Sequence, residues 1–176
     1  RAAGRDIVQG RRHIISVTLQ NEVGALSRVA GLFSTRGYNI ESLSVAPTDD
    51  PQVSRLTLVT IGSDQIIGQI NKQLLKLVDV VNTVDMTLGD HIERELLLLK
   101  LRIHADGLER IRELVKHEGA RVLDDAEHSY TVELTGAANR LDTFINRAAS
   151  HADILAVVRS GPLAVARGAP VLAATT

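Results

Sequence analysis

Residues 13–37 read HIISVTLQNEVGALSRVAGLFSTRG, and this stretch decides the fold. Apolar and polar residues alternate over positions 15–19, which is typical of a strand with one buried face. Over positions 25–33 the apolar residues instead recur every three or four places, which is the spacing of an amphipathic helix. Gly37 follows, and glycine readily takes the left-handed conformation at a helix end. The stretch therefore predicts a strand joined by a short turn to a helix.

The rest of the chain completes this unit and then repeats it. After the first helix the pattern predicts an extended segment, a turn, a strand, a helix and a strand, at 38–45, 46–51, 54–61, 66–74 and 78–87. After a joint at 88–90 the order returns, with a strand, a helix, a hairpin, a helix and a strand at 91–104, 108–115, 121–134, 141–148 and 154–158. Two βαββαβ units in tandem predict an α+β fold made of two ferredoxin-like sandwiches.

The repeat sets the expected domain boundaries. Residues 13–88 form the first predicted domain and residues 89–160 the second. We expect residues 1–12 to be a flexible N-terminal extension, since they contain several arginines but no apolar run. Residues 161–176 are expected to form a C-terminal tail.

Each predicted sandwich leaves one face of its sheet without helices. With about 75 residues per unit, each unit can bury only a small hydrophobic core. Apolar residues on both faces of an open antiparallel sheet favour a partner at its edge or its face. The pattern therefore predicts at least a dimer.

Composition excludes several classes of function. The formal net charge is −1 and aromatic residues make up 2% of the chain, which argues against nucleic-acid binding. Cysteine is absent, which excludes disulfides and thiolate chemistry and fits a cytoplasmic protein. No apolar run approaches the ~20 residues needed to span a bilayer, so we expect no membrane association.

The turn between the first strand and the first helix is a candidate anion site. Gly24 allows close approach of a ligand to the backbone, and the first amides of a helix have no internal acceptor. Asn39, which follows the helix, offers an amide that both donates and accepts beside apolar Ile40. These groups match the carboxylate, the ammonium and the aliphatic side chain of an amino acid. Many strand-to-helix turns contain glycine, however, so the residues alone also fit a plain turn.

Longer strings point to a family. Four of them resemble the acetolactate synthase small subunit family: NEVGALSRVAGLFSTRGYNIESLSVAPTDDP at 21–51, VSRLTLVTIG at 53–62, KQLLKLVDVV at 72–81 and HIERELLLLK at 91–100. Residues 13–87 resemble its ACT domain, a module that senses small molecules. The resemblance runs in order from His13 to about Gly168, where Arg159-Ser160-Gly161 resembles part of the family's closing motif.

The resemblance implies a function and a site. It implies a regulatory subunit, without catalytic residues, metal or cofactor of its own, that confers feedback inhibition by a branched-chain amino acid: valine, with leucine and isoleucine as alternatives. The implied partners are a second copy, joined through the ACT domains, and a catalytic large subunit that carries thiamine diphosphate, FAD and Mg²⁺. The second domain would help to engage and activate that subunit. The implied effector site, between two ACT domains, comprises Asn21, Gly24, Ala25, Leu26, Asn39 and Ile40.

Three other interpretations are weaker. The first is a stand-alone ACT-type amino-acid sensor that controls a different enzyme. An RNA-recognition module shares the strand order but requires aromatic residues on its strands, and this chain has two Phe and two Tyr in all. A small enzyme would need a nucleophile–base set, and none of the six histidines shows metal-ligand spacing.

Overall fold

The computed structural model describes residues 10–126 and 128–168. Residues 1–9 of the expected extension and 169–176 of the expected tail lie outside this range. The strands are β1 (Arg11–Gln20), β2 (Ser42–Pro47), β3 (Val53–Gly62), β4 (Val80–Asp85), β5 (His91–Ile103), β6 (Arg121–Ala126), β7 (Ser129–Gly136), β8 (Ala152–Arg159) and β9 (Leu163–Ala166). The helices are α1 (Ala25–Thr35), α2 (Asp64–Leu74), α3 (Leu108–Glu118) and α4 (Ala138–Ala149), with a short 3₁₀ helix at Met86–Leu88. The α+β class and the tandem ferredoxin-like order are confirmed.

The described residues form two compact units, 10–92 with 164–168, and 93–163. In the first unit the antiparallel sheet has the order β2-β3-β1-β4. Strand β1 is central because alternate residues can be buried under both helices, each side chain contributing about 1.5–3 kcal/mol. This core consists of Ile15, Val17, Leu19, Val29, Phe33, Leu56, Leu58, Ile67, Ile70 and Leu74.

The second unit repeats the design. Its sheet has the order β6-β7-β5-β8, and β9 also pairs with β5. Leu97, Leu99 and Leu101 of β5 face Phe144 and Ile111 of the two helices in one buried cluster. The helix α3 ends at Gly119, whose φ of 68° is the left-handed cap conformation.

The helix signals of the first unit are confirmed in detail. Ser63 precedes α2, and its hydroxyl accepts a hydrogen bond from Ile66 N at 3.3 Å. Gly37, which follows α1, has φ 71° as expected of a left-handed residue. Among the described residues, no helix has both the length and the apolar character needed to cross a membrane.

Two strands differ from the sequence pattern. Strand β2 begins at Ser42 and continues through Pro47, which the pattern assigned to a turn. Proline is tolerated there because β2 is an edge strand, with a neighbour on one side only. Strand β9 lies within the segment expected to be a tail, and its Ala164 packs with Ile14 of the first unit.

Candidate functional site

The β1–α1 corner, residues 20–28, ends in a helix that has no capping side chain. Gly24 occupies the N-cap position with φ 86°, in the left-handed region. The first bond within the helix runs from Arg28 N to Gly24 O at 3.0 Å. The amides of Leu26 and Ser27 therefore point out of the helix end, where the helix dipole adds partial positive charge. An anionic group can bind there without displacing a side chain.

Apolar side chains stand beside these amides. Val23 is fully exposed and Leu26 is 39% exposed, whereas Ala25 is buried against the unit. An apolar side chain left wholly in water gains free energy when a ligand or a second chain covers it. The corner thus combines an anion-binding helix end with an aliphatic surface.

Arg28 adds a positive charge to the corner. Its Nη2 lies 3.4 Å from Val23 O, and a Cβ placed on Gly24 would lie 2.9 Å from its Nη1. Its Nε donates a hydrogen bond to the carboxylate of buried Asp79, which precedes β4. This bond raises the pKa of Arg28 and lowers the pKa of Asp79, so both stay charged.

Asn21 has a structural role in the corner. Its Nδ2 donates to Pro51 O at 3.0 Å, and its backbone N donates to Gln52 O at 2.7 Å. Both bonds tie the corner to the turn between β2 and β3. Four of the six expected site residues, Asn21, Gly24, Ala25 and Leu26, are therefore held together at one end of the first sheet.

Asn39 and Ile40 lie at the other end of that sheet. Asn39 O accepts a hydrogen bond from Thr60 Oγ1 at 2.7 Å, whereas the corner is bound to Gln52. Thr60 and Gln52 are eight residues apart along β3 and the turn before it, a distance of roughly 25 Å in extended chain. Asn39 is exposed and Ile40 packs against the core cluster. A single chain therefore does not bring these two residues to the corner.

Sequence reasoning missed Arg28 and Asp79. Arg28 could have been found, because it follows Gly24 by four positions and therefore lies on the same helix face. Asp79 could not, since only the pairing of β1 with the segment before β4, through Gln20 N and Asp79 O at 2.8 Å, brings it to the corner.

Among the described residues, no group of three or more His, Asp or Glu side chains is arranged to hold a metal ion. Asp49 and Asp50 lie exposed in the turn after β2, and Asp124 and Asp125 lie exposed in β6.

Comparisons with known proteins agree over most of the described chain. A family model described as AHAS small subunit-like ACT domain matches residues 15–82, and one described as small subunit of acetolactate synthase matches residues 94–168. The chain is 46% identical over 157 residues to the acetolactate synthase isozyme 3 small subunit of Salmonella typhimurium, covering 89% of this chain and 96% of that protein. It is 35% identical over 159 residues to a probable acetolactate synthase small subunit of Methanothermobacter thermautotrophicus, covering 89% and 93%.

A solved structure shows the same likeness. The acetolactate synthase small subunit of Thermotoga maritima superimposes with a TM-score of 0.79 at 34% identity, over 91% of this chain and 99% of that one. The matched ACT domain includes the β1–α1 corner, Asn39 and Ile40. The chain therefore belongs to the acetolactate synthase small subunit family.

Proposed function

We propose that this regulatory subunit binds valine at the β1–α1 corner and thereby lowers the activity of a separate catalytic subunit, while its second unit holds and activates that subunit. In this proposal the thiamine diphosphate, FAD and Mg²⁺ reside on the catalytic subunit. The observation that carries the proposal is the uncapped start of α1 at Gly24, beside the fully exposed Val23.

The groups of the corner suit the parts of a branched-chain amino acid. The carboxylate can accept hydrogen bonds from the Leu26 and Ser27 amides, with Arg28 adding positive charge nearby. The aliphatic side chain can lie against Val23 and Leu26. Neither apolar residue offers a polar group to a hydroxyl or charged side chain, which favours valine, leucine and isoleucine over polar amino acids.

The ammonium group needs a polar partner, and we propose Asn39 for it. Within one chain Asn39 lies beyond the far end of α1 from Gly24, and the 11 residues of that helix span roughly 16 Å. A twofold axis across α1 reverses the direction of the helix, and so places Asn39 of one protomer beside Gly24 of the other. We therefore propose a homodimer through the ACT domains, with two equivalent sites that each draw residues from both protomers.

A shared site explains how valine can regulate. Binding energy that depends on both protomers favours one arrangement of the dimer over others, and the catalytic subunit senses that arrangement.

Two variants and a control test the site. Gly24→Asp places a carboxylate against the proposed carboxylate position and should abolish valine binding in calorimetry and valine inhibition of the reconstituted enzyme. Asn39→Ala should weaken binding by about 1–3 kcal/mol, the usual loss for one polar pairing. Gly119→Asp, at a similar φ of 68° but in the second unit, should leave valine binding unchanged.

Mixing the two variants tests the sharing. A dimer of one Gly24→Asp chain and one Asn39→Ala chain contains one intact site and one doubly altered site. An equal mixture should recover tight valine binding at about one quarter of all sites, because half of the dimers are mixed. If tight binding does not return, the two groups do not meet across a dimer interface and the shared site is wrong.

A further inference from the structure

His13 is fully buried in the first unit, and a carboxylate lies against each of its two ring nitrogens. Its Nδ1 is 2.7 Å from Oδ2 of Asp85, the last residue of β4. Its Nε2 is 3.2 Å from Oδ1 of Asp64, the first residue of α2. Through this one side chain β1 contacts both the end of a neighbouring strand and the start of a helix.

The two contacts bear on the protonation of the imidazole. A neutral imidazole has a proton on one nitrogen and a lone pair on the other, whereas a carboxylate offers only lone pairs. With its proton on Nδ1, a neutral His13 would place the lone pair of Nε2 beside the Asp64 oxygen. Within the described part of the chain Nε2 has no hydrogen-bond partner that would compensate for this repulsion. A proton on each nitrogen turns the repulsion into an attraction.

Burial acts against a charge on His13, and the two acids act in favour of it. Removal from water disfavours the imidazolium, whereas an opposite charge within about 4–6 Å favours it. Asp85 is itself only 4% exposed, so its carboxylate has lost most of its contact with water. A buried carboxylate gains more from a neighbouring cation than an exposed one does. Two carboxylates around one buried imidazole therefore favour the charged form.

Arg11, two residues before His13 on β1, is a further charged neighbour. Its Nε donates to Asp64 Oδ1 at 2.8 Å and its Nη2 donates to Oδ2 at 3.4 Å. The hydrogen bond from Arg11 and, after it, the charge of His13 lower the pKa of the Asp64 carboxyl, which therefore stays ionised. On β3 the residue opposite His13 is Thr60, which has no charge. The group of Arg11, His13, Asp64 and Asp85 is thus neutral overall when His13 carries two ring protons.

We infer that His13 is an imidazolium in the folded protein at neutral pH and acts as a proton-dependent latch, which holds the start of α2 and the end of β4 against β1. Loss of the proton removes the counter-charge that His13 supplies to buried Asp85 and the attraction between His13 and Asp64. The folded chain then binds this proton more tightly than the unfolded chain does. The latch is therefore weakened as the pH rises through the titration of His13.

The ring nitrogens of the full chain, labelled with ¹⁵N-histidine, report the protonation state directly by NMR. At about pH 7.5 a histidine in an unfolded chain is mostly neutral. His13, assigned by the loss of its signals in His13→Gln, should show two protonated nitrogens at this pH. A neutral ring with one bare nitrogen overturns the inference.

Two variants on the exposed side of the group should shift the titration of His13 in opposite directions. Asp64→Asn removes an acid and should lower the proton affinity of His13 by about ten-fold. Arg11→Met removes a competing cation and should raise that affinity. Asp64 is 67% exposed and Ser63 still caps α2, so both chains should fold. Titration at the same pH in both variants would show that His13 does not sense these charges, and would overturn the latch.

Asp153→Asn is the matched control, because it changes an acid beside a histidine in the second unit. His104 Nε2 lies 3.0 Å from Asp153 Oδ1, and both side chains are about half exposed. This variant should leave the titration of His13 unaltered, and a shift as large as that of Asp64→Asn would overturn the inference.

Urea unfolding between about pH 6 and about pH 9 tests whether the proton stabilises the fold. The free energy of unfolding should fall with rising pH in the unaltered chain, and less steeply in His13→Gln. Equal slopes in the two chains would overturn the latch even where the ring is charged.

Discussion

His13 Nδ1 lies 2.7 Å from Asp85 Oδ2 inside the first unit, where the two side chains are 0% and 4% exposed. An ionised carboxylate only accepts hydrogen bonds, so the His13 Nδ1–H donates. Asp85 Oδ1 also accepts from Thr87 N at 3.0 Å, and Thr87 Oγ1 accepts from Ile14 N at 2.8 Å. This chain of bonds fixes the end of β4 against β1.

Removing the Asp85 side chain should lower the unfolding free energy more than neutralising it. Asp85→Ala leaves the buried His13 Nδ1–H and the part-buried Thr87 amide without their partner. We expect a loss of about 2–4 kcal/mol of unfolding free energy, about 1–3 kcal/mol from the buried donor and about 1 kcal/mol from the part-buried one. Asp85→Asn keeps a carbonyl oxygen and should cost about half as much or less. Urea unfolding of the two variants measures the difference, and equal losses would contradict the importance of the acceptor.

The second unit contains a comparable buried acid. Glu95 is 5% exposed and accepts from Arg159 Nε at 2.8 Å, and Arg159 Nη1 lies 2.5 Å from Asp142 Oδ1. Arg159→Met leaves the buried Glu95 carboxylate without its partner and should lower the unfolding free energy by about 2–3 kcal/mol. This loss is at the low end for a broken buried pair, because the guanidinium is partly solvated.

A double variant separates the contribution of the Glu95–Arg159 ion pair from the penalty of burying the Glu95 charge. Adding Glu95→Gln to Arg159→Met removes the stranded charge and should recover part of the loss, which a double-mutant cycle in urea measures. The control is Asp142→Ala, whose carboxylate is mostly exposed and should contribute less than about 1 kcal/mol. A strictly additive cycle would show that Glu95 and Arg159 do not interact.

Three glycines should respond differently to alanine. Gly24→Ala is strained at φ 86° and places Cβ against Arg28, so we expect a loss of about 1–2 kcal/mol. Gly119→Ala has comparable strain but open space around its Cβ. Gly31→Ala, inside α1 with open space, should stabilise by about 0.5–1 kcal/mol. Thermal unfolding ranks the three, and a stabilising Gly24→Ala would contradict the left-handed N-cap.

The sequence pattern predicts local features well and distant pairs poorly. Alternation in β1 and the left-handed Gly37 each depend on a few neighbouring residues, and both were predicted. Strand β9 was missed because four residues after Pro162 give too short an alternation to separate from a tail.

In the candidate site, too, the local features were predicted and the distant pairs were not. The open helix end at Gly24 was predicted, because glycine at a strand-to-helix turn has a local meaning. The pairing of Arg28 with Asp79 joins residues 51 positions apart, and the placement of Asn39 at the other end of the sheet from the corner depends on its contact with Thr60 of β3. Neither is encoded in a pattern that a short window of sequence can show.

The ion pair at the β1–α1 corner should make the stability of the first unit depend on pH. The hydrogen bond from Arg28 lowers the pKa of Asp79 below its usual range. The folded state therefore favours the ionised carboxylate, and this stabilisation is present above the unfolded-state pKa of about 3.9. It is lost as the pH falls from there through the lowered folded-state pKa.

We expect Asp79→Asn to reduce the unfolding free energy at pH 7 and to approach the unaltered chain as the medium is acidified. Urea unfolding at a series of pH values measures the two curves, with Arg28→Met as the reciprocal variant, which should also show a weaker dependence on acid. Curves that stay parallel from pH 7 down to about pH 2 would mean that Asp79 gains nothing from Arg28.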